Sequence, residues 1–392
     1  MKQKIKVIQI GSASSSYSTE NYKEDIFRAW YTQVAFQIKK FYPGIEVECW
    51  TIERKERKER VKECGGIKFR VFPTNFSFRH GMEISLPMLK ALIKEQKEAI
   101  KKNQKLIIHL HEYHTWQSYL SLVVSKKIKN IKIIAQHHGA RNPFANLKKY
   151  KKLFLLLPLF SLMQFFENLL LKKVNIFYAL SDLEIKYLRK IAPNSEIKFQ
   201  TMGIEDVYFK IGSKKNKRIK LGFDLNKKYV IFIGRLIRQK GIKELLDAAK
   251  ELKEINFLVI GRREEFEKYV GYTKKRAIKN VIFLGPMYGV EKLNYLSASD
   301  CLILPSYTEG APVVLMEAIA KNVPVIATDV GGIKKMIKNN REGIIIKPKS
   351  KKDIIRAVKE ILQWKNKPIS KYAEKYRWEK IVDQTYRDYI KC

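Results

Sequence analysis

Cysteine is scarce: the 392 residues hold four, Cys49, Cys64, Cys301 and Cys392, with no CxxC pair among them. That scarcity excludes a disulfide framework and a thiolate metal site, and it suits a reducing cytosol. Long apolar stretches are also missing. The most apolar run, Leu153 to Phe166, contains Pro158, is followed by Glu167 and Asn168, and falls short of the ~20 residues a spanning helix needs. The first residues, MKQKIKVIQIGS, carry no apolar segment long enough for a signal peptide. Acidic residues are few: 39 Asp and Glu face 78 Lys and Arg, leaving a net charge of +39. A disordered polycation is excluded by 45% hydrophobic and 11% aromatic residues, so this is a folded protein with a basic exterior. Such a charge favours an anionic partner: nucleic acid, an acidic membrane leaflet or a phosphorylated small molecule.

Chains longer than about 300 residues usually divide their core, so two domains are expected. Short β-branched runs recur at Ile5–Ile10, Ile67–Phe72, Leu106–Leu110, Ile131–Ala135 and Asn175–Leu180, with helical stretches at Tyr22–Lys40 and Ser85–Lys102. The second half repeats the pattern at Tyr229–Ile233, Phe257–Ile260, Val281–Leu284, Cys301–Leu304, Val325–Thr328 and Gly343–Ile346. Fully apolar strands alternating with helices imply an α/β fold of two doubly wound, parallel-sheet domains. The polar, Lys-rich stretch Lys210–Lys228 reads as the linker, and the mixed-charge run Glu53–Glu63 as a solvated face.

In doubly wound folds ligands bind beyond the carboxyl ends of the strands. After Tyr229–Ile233 comes Gly234-Arg235-Leu236-Ile237-Arg238-Gln239-Lys240-Gly241, where Arg235 and Lys240 offer a planar fork and a point charge to phosphate. Alone, such a loop is more often ordinary basic surface. After Cys301–Leu304 comes a segment from Pro305 through Glu309, Gly310, Ala311, Pro312, Val313 and Val314 to Glu317. Pro312 suits a first helical turn, whose free N–H groups can hold a diphosphate. Glu317 follows an apolar stretch, so its carboxylate needs hydrogen-bond donors: sugar hydroxyls, or an internal partner.

The loop IGRL-x-x-QKG (Ile233–Gly241) and the segment E-G-x-P-x-x-x-x-E (Glu309–Glu317), followed by Ala327–Gly332, resemble glycosyltransferase family 4, the retaining GT-B enzymes. The resemblance covers nearly all of Lys227–Leu362. It is traceable earlier through His138-Gly139, Ser181 and Gly203-Ile204-Glu205, and in the tail Tyr376–Lys380. It implies two Rossmann-like domains with the cleft between them: an acceptor domain over 1–209 and a nucleotide-sugar domain over 210–370, with a last helix in 371–392 packing back on the first. It implies a metal-independent, retaining transfer of a hexose-type sugar from a nucleotide diphosphate sugar to a glycan or lipid-linked acceptor, with no cofactor. The catalytic set is then Glu309, His138, Arg235 and Lys240. Donor binding falls to Arg235, Lys240, Glu309, Gly310, Ala311, Val313, Val314, Glu317 (on the ribose) and Met287 beside the base; Gly11, Ser12 and His111 lie on the acceptor side.

Five of six histidines fall between 109 and 138. HEYH (His111–His114) is one residue short of the zincin spacing, so no metal is expected. His109 reads as structural. Residues 101–180 hold fourteen Lys or Arg and two acids, Glu112 and Glu167. Lys148, Lys149, Lys151, Lys152, Lys172 and Lys173 flank the apolar run, so 148–173 is expected either as a peripheral anchor on an anionic, cytoplasmic membrane face or as a core helix. A transferase of cell-envelope polysaccharide precursors combines these signals. The alternatives are a basic nucleic-acid-binding protein, for which no recognition motif is present, and a nucleotide-sugar epimerase or phosphorylase on the same scaffold.

Overall fold

The computed structural model describes residues 4–11, 29–77, 82–138, 165–261, 265–338, 340–364 and 368–391. The chain divides into two units, Met1–Met202 with Glu379–Cys392, and Gly203–Trp378. The division thus falls seven residues before the 209/210 boundary read from the sequence.

The first unit is built on an eight-stranded sheet. Its strands are β1 (Ile5–Ile10), β2 (Glu46–Glu53), β3 (Arg60–Cys64), β4 (Ile67–Pro73), β7 (Lys105–His111), β8 (Ile131–Gln136), β9 (Ile176–Ala179) and β10 (Glu196–Phe199). The order is β10-β9-β8-β7-β1-β2-β4-β3; β5 (Phe76–Ser77) and β6 (Glu83–Ile84) form a separate pair. All neighbours in the large sheet are parallel except β3 and β4, which are antiparallel. Its helices include Trp30–Phe41, Leu86–Lys101 and Asp182–Ile191. Ser181 starts the last of these by accepting the Glu184 N–H (3.2 Å), which satisfies one of the first-turn donors. β2 escapes the apolar pattern because Glu48 and Glu53 are buried within it. Lys6 Nζ neutralises Glu48 at 2.9 Å, and Trp50 Nε1 donates to Glu48 at 2.7 Å. Paired and hydrogen-bonded, such a charge tolerates burial.

The second unit holds β11 (Lys228–Ile233), β12 (Ile255–Ile260), β13 (Val281–Gly285), β14 (Cys301–Leu304), β15 (Val325–Thr328) and β16 (Gly343–Ile346), all parallel. Their order, β13-β12-β11-β14-β15-β16, is the Rossmann order. Residues 210–228 are no free linker: Lys214–Lys220 is helical. Arg218 anchors that helix, donating to the Ala298 carbonyl (2.9 Å) and to Asp300 Oδ2 (2.7 Å).

The last helix, Trp378–Lys391, is preceded by two short 3-10 turns over 370–376, and the chain returns to the first unit at Glu379. The helix docks on that sheet by polar contacts. Tyr178 donates to Asp388 (2.7 Å), Gln200 to Thr385 (2.9 Å) and Gln9 to Tyr389 (3.0 Å), and all six side chains are buried.

Candidate active site

In each sheet the strand order reverses beside the first strand of its unit, the point where a crevice opens beyond the strand ends. In the second unit this lies between β11 and β14, whose following loops are Gly234–Gly241 and Pro305–Pro312. Those loops are tied to each other and to the end of β15: the Tyr307 N–H donates to the Gln239 carbonyl (2.7 Å), and Thr328 Oγ1 donates to the Ser306 carbonyl (2.6 Å). The Gly332 N–H donates to the Gly310 carbonyl at 2.8 Å. Two glycines make this approach feasible. Gly241 (φ +68°) and Gly331 (φ +60°) are left-handed, and a Cβ on either would sit 2.0 Å from a carbonyl oxygen, of Pro305 and Glu309 respectively.

Within this framework Lys240 Nζ lies 2.6 Å from Glu309 Oε1, and Ser306 Oγ donates to the same oxygen at 2.6 Å. The Glu309 side chain is 8% exposed and that of Lys240 18%, so the pair is largely shielded. The lysine expected to hold phosphate is therefore paired with the glutamate expected beside the sugar. Arg235 is exposed and makes no ion pair among the described residues. Pro312 caps the helix Val313–Ala320 rather than entering its first turn, and Gly310, Ala311, Val313 and Val314 are half-buried around that helix start. Met287 is half-buried just after β13.

For Glu317 the structure supplies the internal partner that was one of the two expected. Both of its oxygens accept from Lys292 Nζ at 2.9 Å, so the carboxylate has an internal partner. Burial, and then the Glu317 charge, push the nearby Tyr208 hydroxyl above its ordinary pKa. Lys292, on the exposed-looking helix Gly289–Ala298, carried no motif that would have revealed it.

In the first unit the reversal lies between β1 and β7, which brings together Gly11, His111 and His138. The Gly11 N–H donates to the Trp50 carbonyl at 2.9 Å; Ser12 lies outside the described residues. His111 was expected to line the acceptor side, yet it is wholly buried and its ring serves neighbouring side chains. Its Nδ1 lies 3.0 Å from His138 Nε2, and its Nε2 meets Gln9 Oε1. His138 stacks on Trp30 with ring centroids 3.5 Å apart, and its backbone N–H donates to Glu112 Oε1 (3.0 Å). Glu112 holds this position from a left-handed backbone (φ +61°). Burial keeps both His111 and His138 well below the ordinary histidine pKa, and neighbouring imidazoles add to the effect. His109 is pushed down to about 3 by burial. All three rings are therefore neutral at pH 7 and offer one donor and one acceptor nitrogen each. Among the described residues no group of three or more His, Cys, Asp or Glu is placed to hold a metal ion.

Most of the basic-apolar run, 139–164, lies outside the described residues. At its described end, 165–171 is helical, with Leu171 and Glu167 buried and Glu167 paired to His114 Nδ1 at 2.7 Å. Lys173 turns inward to cap carbonyls of Leu122, Val123 and Ser125. Phe165, Phe166 and Leu169 are more than half exposed. Among the described residues no helix is long and apolar enough to cross a membrane.

Residues 213–376 match the family described as glycosyl transferases group 1. The putative teichuronic acid biosynthesis glycosyltransferase TuaC of Bacillus subtilis is 35% identical over 149 residues, 37% of this chain and 36% of that protein. Across such curated relatives the match spans 36% to 54% of their length. Among solved structures, sucrose-phosphate synthase from Thermosynechococcus elongatus aligns with a TM-score of 0.70 at 19% identity, over 100% of this chain and 99% of that one. HepE from Anabaena in complex with UDP aligns with a TM-score of 0.67 at 15% identity, over 100% of both chains. At these identities the likeness is one of fold, that of the GT-B glycosyltransferases.

Proposed function

We propose that this protein is a glycosyltransferase that takes a hexose-type sugar from a nucleotide diphosphate sugar and passes it, with retention at the anomeric carbon, to a glycan or lipid-linked acceptor. The observation that carries the reading is the shielded Lys240–Glu309 pair beside the exposed Arg235, at the strand-order reversal and next to a helix N-terminus. Arg235, Lys240 and the helix start near Val313 would hold the diphosphate, so charge neutralisation requires no metal. Lys240 would then be shared between Glu309 and the phosphates, leaving Glu309 oriented by Ser306 toward the transferred sugar. The anomeric C–O bond to the diphosphate breaks as the acceptor oxygen bonds to the same face, and the departing phosphate takes the acceptor's proton. Glu317 and Lys292 would serve the ribose as a pair, the carboxylate accepting and the ammonium donating. His138 of the first unit would contribute a neutral ring to a substrate hydroxyl.

One relative named for teichuronic acid biosynthesis, and a shared fold with a UDP-bound protein, support a uridine nucleotide as donor and an envelope polysaccharide as the product class. The exposed Phe165, Phe166 and Leu169 at the end of the lysine-flanked run support a peripheral place on an anionic cytoplasmic leaflet. The test is transfer from a panel of nucleotide sugars, with the product anomer read by NMR. Glu309→Ala and Lys240→Ala should abolish transfer; full activity in either, or an inverted product, would overturn the reading.

A further inference from the structure

A continuous chain of hydrogen bonds joins the C-terminal helix to His138, entirely within the first unit. Tyr389 OH lies 2.8 Å from His109 Nδ1 and accepts from Gln9 Nε2 at 3.0 Å. The other end of the Gln9 carboxamide, Oε1, meets His111 Nε2, and His111 Nδ1 lies 3.0 Å from His138 Nε2. Gln9, His109, His111 and Tyr389 have no exposed surface, so water does not supply substitute partners.

From Gln9 to His138 the direction of each bond follows from the carboxamide. An amide nitrogen only donates and an amide oxygen only accepts. With Nε2 spent on Tyr389, Gln9 presents its oxygen to His111, which must therefore carry its hydrogen on Nε2. The neutral His111 ring then has a bare Nδ1 and accepts, so His138 must donate from Nε2. The remaining nitrogen of His138, Nδ1, is left with its lone pair. We infer that Gln9 and Tyr389 are positioning residues that hold His138 as its Nε2–H tautomer, presenting Nδ1 as a hydrogen-bond acceptor for a substrate hydroxyl. The Trp30 ring stacked on His138 fixes the plane in which that lone pair lies. The link to substrate rests on the glycosyltransferase reading; the tautomer itself does not. A helix that looks like a mere C-terminal clasp thus reaches the chemistry through one hydroxyl.

The test uses the full chain without substrate, labelled with 15N in its six histidines. Long-range 1H–15N spectra separate protonated from bare ring nitrogens, and His138→Asn assigns the His138 signals. The wild-type protein is expected to show His138 with hydrogen on Nε2 and a bare Nδ1. Tyr389→Phe removes the acceptor that orients Gln9, so the carboxamide can turn over and a second, Nδ1–H population of His138 should appear. Gln9→Met should give the same mixing. In transfer assays Tyr389→Phe should lower kcat by about two- to five-fold, the effect of one hydrogen bond, with donor KM unchanged. Hydrogen on Nδ1 of His138 in the wild-type protein, or His138 signals unchanged in a folded Tyr389→Phe, would overturn the inference. If the tautomer holds and no sugar is transferred, the functional reading fails while the relay stands; transfer with the wrong tautomer is the converse.

Discussion

Acidification should weaken the first unit through its buried imidazoles, and His109 sets the scale. Unfolded, a histidine titrates near 6.5, whereas burial pushes His109 down to about 3 in the folded protein. Between those values the unfolded chain binds a proton that the folded chain refuses. Stability is thus fully present above pH 6.5 and falls by about 1.4 kcal/mol for each pH unit below it. From pH 7.5 to 5.0, His109 alone should remove about 2 kcal/mol, a large share of the 5–15 kcal/mol typical of a domain. His111 and His138 act in the same direction, by the same burial. Glu53, whose pKa burial raises, acts in the opposite direction but equally in any protein that retains it. Urea unfolding followed by tryptophan fluorescence at pH 7.5, 6.0 and 5.0 measures the loss, and His109→Gln isolates it. The variant should lose about 2 kcal/mol less than the wild-type protein over this range. Equal losses in the two proteins would refute the assignment of His109 as a neutral buried ring.

Lys292→Met should leave the Glu317 carboxylate buried without its cation and lower stability by about 3–5 kcal/mol in urea titrations, while Lys292→Met with Glu317→Leu recovers most of that loss. If the single and double variants were equally unstable, the pair would not be coupled. Gly241→Ala combines a left-handed backbone with a Cβ 2.0 Å from the Pro305 carbonyl, so the two loops must part. Its melting temperature should drop, by an amount corresponding to about 1–3 kcal/mol, and nucleotide binding should weaken with it. Replacing Lys148, Lys149, Lys151 and Lys152 by Gln should reduce sedimentation with vesicles containing an anionic lipid, at about 1 kcal/mol per charge. Unchanged partitioning would remove the membrane from the account.

Much of the fold was legible because its sheets are parallel and buried on both faces. β14, β15 and β16 are continuous apolar runs with no competing pattern, and their ends are visible in the sequence to the residue. β2 was not visible, since the charges of Glu48 and Glu53 disguise it until Lys6, more than forty residues away in the chain, is seen beside Glu48. The helix Lys214–Lys220 reads as linker because its seven residues are almost wholly polar and its one buried side chain, Arg218, is charged. The site follows the same division. Arg235, Lys240, Glu309 and Glu317 were marked by their spacing along two short segments, a local property. Lys292 on Glu317, Ser306 on Glu309, and Gln9 and Tyr389 behind His111 are partners brought together only by the fold. No local period or spacing encodes them.

In the proposed function the loops after β11 and β14 bind a nucleotide diphosphate. Isothermal titration of the full chain with UDP, GDP and ADP at low salt tests it without knowledge of sugar or acceptor. One of the three should bind with 1:1 stoichiometry, and Arg235→Ala with Lys240→Ala should weaken it by at least about a hundredfold, the loss of two charge-assisted contacts. Binding that survives the loss of both cations, or no binding of any nucleotide by the wild-type protein, would contradict the account.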